Sequence, residues 1–156
     1  MVDTANSALE IVRRHHCRPD ALLEILHDLQ ELLGHIPDEA VVTVADSLNL
    51  SRADVHGVLS FYHDFRRKPP GRHVFKLCRS EACQAMGCEA LASRAEQRSG
   101  TAWGSTAGDK HLTLESVYCL GNCALAPAAM LDGKLIGRLD RARLDALLDD
   151  CREDSR

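Results

Sequence analysis

The chain has no long hydrophobic run. No stretch reaches the roughly 18 to 20 apolar residues that a bilayer span needs, because Glu, Asp and His interrupt every helical pattern, so no membrane span is predicted. An apolar signal segment is also missing from its start, where Asp3 and Glu10 stand among small and polar residues. That predicts a cytoplasmic protein with reduced thiols rather than a disulfide framework. There is no Gly-x-Gly-x-x-Gly turn and no Gly-x-x-x-x-Gly-Lys loop, so NAD or a flavin is expected to bind elsewhere. An excess of positive charge is absent too: 19 Lys and Arg stand against 23 Asp and Glu, a net charge of -4. The one cationic cluster, Arg66-Arg67-Lys68, reads as charge at a helix C-terminus, which argues against nucleic acid as a partner.

What the chain does have is cysteine in a pattern. Cys78 with Cys83 and Cys119 with Cys123 form two pairs separated by 35 residues. Four thiolates drawn from two loops suit a [2Fe-2S] cluster, in which each iron is completed tetrahedrally by two cysteine sulfurs. Structural zinc usually takes pairs with two intervening residues, a spacing absent here, although four cysteines alone also permit a zinc site. A plant-type ferredoxin needs a third cysteine three positions after Cys83, and Met86 stands there. Cys88 lies five residues after Cys83, about 140° round a helix, and is predicted to point away as a plain core or surface thiol. Cys17 and Cys151 have no spaced partner, and the adjacent residues of His15-His16-Cys17 face apart on a helix.

At 156 residues and 45% hydrophobic, the chain is long enough to bury one core or two small ones. Pro69-Pro70-Gly71 cannot continue a helix and fits a joint between residues 1–70 and 71–156. Residues 1–70 hold 7 basic and 11 acidic side chains and six of the eight histidines, whereas residues 71–156 hold 12 of each sign. The first half reads as four helices. One spans about Ala8 to His15. A second carries Leu22, Ile25, Leu26, Leu29, Leu32 and Leu33 at three- and four-residue spacing and stops at Gly34. Pro37-Asp38-Glu39 opens a third with Val41, Val42, Val44, Ala45 and Leu48, and a capping box from Ser51 to Asp54 opens a fourth with Val55, Val58, Leu59 and Tyr62. Short connections predict a helical bundle. His56 and His63 are expected to share a helix face, packed or turned to a partner.

In the second half His73 to Leu77 reads as a strand leading into Cys78. A helix follows Cys83 with Met86, Ala90, Leu91 and Ala95 along one face, and Gly100 to Gly108 reads as a loop. Leu112 to Tyr118 is a predicted strand reaching Cys119. Ala128 to Leu131 and Leu135 to Leu139 form a hairpin turning at Asp132-Gly133, and Leu144, Leu147 and Leu148 lie on a last helix. The fold class is α+β, a helical bundle followed by a small sheet covered by helices, like thioredoxin without its Cys-x-x-Cys motif.

Cys-Arg-Ser-Glu-Ala-Cys at 78–83 and Cys-Leu-Gly-Asn-Cys-Ala-Leu-Ala-Pro at 119–127 resemble the two ligand loops of the thioredoxin-like [2Fe-2S] family. That family includes the 24 kDa subunit of respiratory complex I, diaphorase subunits of NAD-linked hydrogenases, and the gamma subunit of NAD-dependent molybdenum formate dehydrogenase. Gly34-His35-Ile36-Pro37 and Val55 to Phe65 also resemble the helical segment that the family places ahead of its cluster domain. The run His56 to Arg66, continuing to Pro69-Pro70-Gly71-Arg72-His73, is most similar to the formate dehydrogenase gamma subunit. The resemblance implies a thioredoxin-like [2Fe-2S] ferredoxin domain at 71–156, with Cys78, Cys83, Cys119 and Cys123 as metal ligands. It implies an electron-transfer subunit with no complete active site of its own. Its partners would be a beta subunit that binds FMN and NAD and a larger molybdenum-containing alpha subunit. The alternatives are the equivalent subunit of complex I or of an NAD-linked hydrogenase, and a zinc-stabilised interaction module.

Within the loops, Arg79 and the amides of Ser80 to Cys83 are candidates for raising the cluster's potential. Gly121-Asn122 reads as a tight turn, and Glu81 is expected to face solvent. The resemblance to thioredoxin-like folds suggests a cis bond before Pro127.

Overall fold

The computed structural model describes residues 3–154, and the chain falls into two compact units, Met1–Pro69 and Pro70–Arg156. The first is helical: α1 (Thr4–Arg14), α2 (Leu22–Leu33), α3 (Asp38–Leu48) and α4 (Arg52–Phe61). Each boundary has a local cause. Asp3 caps α1 by accepting the Asn6 N–H, and Gly34 ends α2 at φ 75°. Asn49 ends α3 at φ 54°, and Ser51 and Asp54 form a reciprocal capping box on α4. The core gathers Ile11 and Val12, Ile25, Leu26 and Leu29, Val41, Val44 and Leu48, and Val55 and Leu59, with Ile36 and Phe65 from the connections.

Three expectations fail in this unit. Leu32, in the last turn of α2, is 56% exposed, although it lies two turns after the fully buried Ile25. α4 stops at Phe61, so His63 shares no helix with His56, and the Arg66-Arg67-Lys68 cluster lies beyond the helix end. Arg67 instead pairs with Asp38, in the first turn of α3, and lies 2.9 Å from His56 Nδ1.

The second unit contains β1 (His73–Cys78), α5 (Glu81–Ala85), α6 (Cys88–Ser99), β2 (Ser105–Thr106), β3 (Leu112–Val117), β4 (Ala129–Leu131), β5 (Lys134–Ile136) and α7 (Arg141–Glu153). The sheet order is β2-β3-β1-β4-β5. β1 and β3 run parallel, with Phe75 beside Leu114, while β4 is antiparallel to β1, with Phe75 beside Leu131. Alternation along the strands therefore collects Phe75, Leu77, Leu112, Leu114 and Ala129 on one face. There they form one core with Leu91, Ala92 and Ala95 of α6 and Leu144 and Leu148 of α7. The two helices are tied by Arg94–Asp145, at 2.9 and 2.7 Å, and by Arg98–Asp149 at 2.5 Å.

The hairpin turns at Asp132 (φ 49°) and Gly133 (φ 81°), two consecutive left-handed residues that match the strand twist. At the start of β1 a side chain on Gly71 would lie 2.8 Å from the Leu112 carbonyl carbon, so only glycine fits beside β3 there. β2 falls inside the segment read as a loop, because its pairing with β3 depends on a neighbour that local sequence does not reveal. The helix after Cys83 is two helices, broken at Gly87 (φ 87°). Met86, at the break, is 62% exposed, Ala90 is exposed too, and the buried face is Cys88, Leu91, Ala92 and Ala95. No helix among the described residues is long and apolar enough to cross a membrane.

Candidate metal centre

Parallel pairing brings the four cysteines to one edge. β1 ends at Cys78 opposite Val117, the last residue of β3, so the chain leaves both strands side by side and in the same direction. The Arg79 N–H donates to the Val117 carbonyl at 2.8 Å, and the Cys78 N–H donates to the Ala128 carbonyl at 3.0 Å. The first loop is thus fastened to the entry and the exit of the second. The first loop turns directly into α5, which carries Cys83. β3 stops at Val117 rather than Tyr118, and Cys119 sits at φ 107°, a rarely populated conformation for a residue with a side chain. Gly121 follows at φ 72° and donates its N–H to Cys119 Sγ at 3.3 Å. A side chain there would meet no protein atom within 4 Å, so the backbone angle is what calls for glycine. Cys123 then opens a single 3-10 turn, Cys123–Leu125.

The Cys119 and Cys123 sulfurs stand 3.8 Å apart. Two thiolates at about 2.3 Å from one tetrahedral metal are separated by about that distance. Cys78 and Cys83 lie together in one buried cluster, so each loop brings its own two cysteines together. Among the described residues no three Cys, His, Asp or Glu side chains converge on the position of a single ion.

The pairs differ in setting. Cys78 and Cys83 are buried with Cys88 and Ala128, with Val117, Leu120 and Ala126 packed around them, whereas Cys119 and Cys123 are exposed. Burial alone would push the Cys78 thiol up, but the N–H groups of Ser80, Leu120 and Cys119, together with the Cys83 thiol, outweigh it and lower it. Burial raises Cys83, with the Cys78 and Cys123 sulfurs adding to it. Cys123 is raised first by its hydrogen bond to Cys119. Sulfurs that oppose one another's ionisation in this way are what a cation resolves.

Cys88 corrects a sequence expectation. Pointing it away from Cys83 requires one continuous helix through residues 83–88, but the Gly87 turn redirects Cys88, which is 0% exposed and packs with Cys78 and Cys83. Gly137 escaped sequence reading altogether. A side chain there would lie 2.7 Å from Leu125 Cβ and 2.8 Å from Asn122 Nδ2, so glycine lets the end of β5 pack against the second loop; its one local signal is a glycine directly after a strand. The Ala126–Pro127 peptide bond is cis. Arg79 is held by Glu89, and Glu81 is exposed. The His15 ring pairs with Asp28 at 2.8 Å, apart from Cys17.

Residues 8–152 match the thioredoxin-like [2Fe-2S] ferredoxin family. The chain is 36% identical over 131 residues to a subunit of NADH-quinone oxidoreductase from Pseudomonas aeruginosa, covering 83% of this chain and 79% of that one. It is 37% identical over 139 residues to a corresponding NADH-quinone oxidoreductase subunit from Rhizobium meliloti, covering 89% and 83%. Among solved structures, an NAD+-reducing [NiFe]-hydrogenase in the air-oxidized state superposes with a TM-score of 0.75 at 27% identity. That superposition takes in 86% of this chain and 23% of the hydrogenase chain, so this chain spans about a quarter of that neighbour. Two cysteine-bearing loops at one edge of a helix-covered sheet, and a family match that runs through both of them, lead to one conclusion: the chain belongs to the thioredoxin-like [2Fe-2S] ferredoxin family, and its cofactor is a [2Fe-2S] cluster.

Proposed function

We propose that Cys78 and Cys83 hold one iron of the cluster and Cys119 and Cys123 the other, and that the chain is an electron-transfer subunit of an NAD-linked oxidoreductase. The observation that carries this is that each loop brings its own two cysteines together, Cys119 and Cys123 with sulfurs 3.8 Å apart and Cys78 and Cys83 in one buried cluster, the donor set of a binuclear cluster. A mononuclear zinc site asks instead for ligands converging on one point, which the described residues do not provide. Bound there, the cluster supplies uptake and release of one electron at a time.

The chain's own residues shape that exchange. The amides of Ser80, Cys119 and Leu120 favour thiolate at Cys78, while Val117, Leu120, Ala126 and Ala128 keep water from the buried pair. Next to the exposed pair in the chain, Tyr118 is 77% exposed and Leu125 39%. With no nucleotide motif of its own, the chain needs another subunit's flavin close to that edge. The FMN- and NAD-binding subunit of the same complex is the proposed partner, docked on the Cys78 and Cys119 loops in the cytoplasm.

The parent complex we infer is an NAD-dependent formate dehydrogenase with a molybdenum-containing alpha subunit, this chain serving as gamma. The support is the run His56 to Arg66 and the segment Pro69 to His73. The names of the curated relatives favour a second reading, the equivalent subunit of NADH-quinone oxidoreductase. Purifying the complex from its native source and offering formate, hydrogen and quinone separates these readings. Reduction of NAD by formate supports the first, and NADH-dependent quinone reduction overturns it. For the ligands, Ser in place of Cys78, Cys83, Cys119 or Cys123 is expected to lower iron and sulfide content, whereas Cys17→Ser, Cys88→Ser and Cys151→Ser keep it. Normal content in two of the four ligand variants would refute the assignment.

A further inference from the structure

Arg79 directly follows Cys78, and its backbone is fixed on both sides. Its N–H donates to the Val117 carbonyl at 2.8 Å, and its carbonyl accepts from Gln84 Nε2 at 2.8 Å. The side chain is fixed as well. The guanidinium forks onto Glu89, with Nε to Oε1 at 2.9 Å and Nη2 to Oε2 at 2.5 Å, the geometry in which an Arg–carboxylate pair is strongest.

Glu89 is set in place by the same Gly87 turn that buries Cys88 beside the ligands, and its carboxylate lies 3.9 Å from the Cys88 sulfur. The other ion pairs made by α6, Arg94 and Arg98 with Asp145 and Arg98 with Asp149, join it to α7. Among the described residues, Arg79–Glu89 is the pair that joins it to a ligand loop. Cys88, beside that carboxylate, packs against Cys78 and Cys83.

Reduction adds one negative charge to the cluster, so a fixed cation nearby favours the reduced form and a carboxylate disfavours it. Resting on the assignment of the cluster to these loops, we propose that Glu89 is a positioning residue that sets the reduction potential: it holds Arg79 in place and offsets its charge.

The test is a redox titration of the full-length, cluster-loaded protein, followed by the paramagnetic resonance signal of the reduced cluster. Glu89→Gln leaves Arg79 unopposed and raises the potential, while Arg79→Gln leaves Glu89 unopposed and lowers it. At the wild-type midpoint, the ratio of reduced to oxidised cluster is expected to shift about two- to fivefold in opposite directions, the range of a solvent-exposed charge. The shifts shrink as ionic strength rises from about 0.01 to about 0.5 M, the double variant returns close to wild type, and Glu89→Asp stays close to it. If Arg79→Gln fails to retain iron, Glu89→Gln and Glu89→Lys decide, Lys giving the larger rise. Unmoved potentials, shifts of one sign in both single variants, or shifts indifferent to salt overturn the role of Glu89. A wild-type chain that binds zinc, or no iron, removes the cluster assignment itself, so the two failures are told apart.

Discussion

Cys151 sits on the last helix, 2% exposed. Burial above all, reinforced by Asp132, Asp150 and Asp154, pushes its thiol up to about 11. In the unfolded chain a thiol ionises near 8.5 to 9, so between about pH 9 and 11 the folded state keeps a proton that the unfolded state has lost. Its stabilising contribution is complete below about pH 9 and disappears as pH rises through about 11, by at most about 3 kcal/mol. Cys151→Ser has no such ionisation. The stability difference between wild type and Cys151→Ser, read from urea midpoints, should therefore narrow from about pH 9 upward. A constant difference would show that the thiol is not held neutral by the fold. The cysteines at 78, 83, 119 and 123 were visible in the sequence because their pattern is local. The burial of Cys88 beside two of them was not, because the positive φ at Gly87 breaks the helical periodicity that relates position 88 to position 83.

At the scale of elements, caps and turns written in short motifs came through. The Ser51–Asp54 box, the Gly34 stop and the Asp132-Gly133 hairpin all rest on contacts within a few residues. Helix faces were less legible toward their ends. Leu29 and Leu32 both fit the apolar spacing of α2, yet Leu29 is fully buried and Leu32 is exposed. Leu29→Ala should cost about 2 to 5 kcal/mol through lost burial and a cavity. Leu32→Ala should change stability by less than about 0.5 kcal/mol. Urea unfolding followed by far-UV circular dichroism measures both, and similar losses at the two positions would mean that Leu32 is covered in solution. β2 is the opposite case, a two-residue strand that exists through its partner β3, with no pattern of its own to detect.

Across the whole molecule, all four candidate ligands lie in the unit Pro70–Arg156, and none lies in the helical unit. A core of that size is marginal by itself, so part of its folding free energy is expected to come from the metal site. Removing iron with a chelator should raise amide hydrogen exchange through residues 70–156 more than through residues 1–69, most of all around the two ligand loops. Equal loosening of both units, or none, would show that the site contributes little to the second fold.

Sequence alone determined the cysteine pattern, the Ser51–Asp54 cap, the Gly34 stop and the hairpin turn, since each depends on residue types a few positions apart. Tertiary structure decided the rest. Parallel pairing of β1 with β3 is a contact between segments some forty residues apart, and it turns two distant cysteine pairs into neighbours. It also sets their unequal exposure, because Ala128 and Leu120 fold over Cys78 and Cys83 and leave Cys119 and Cys123 at the surface. The Arg79–Glu89 fork has the same origin. Ten residues separate the two side chains, and only the turn at Gly87 brings α6 back against the loop that carries Arg79.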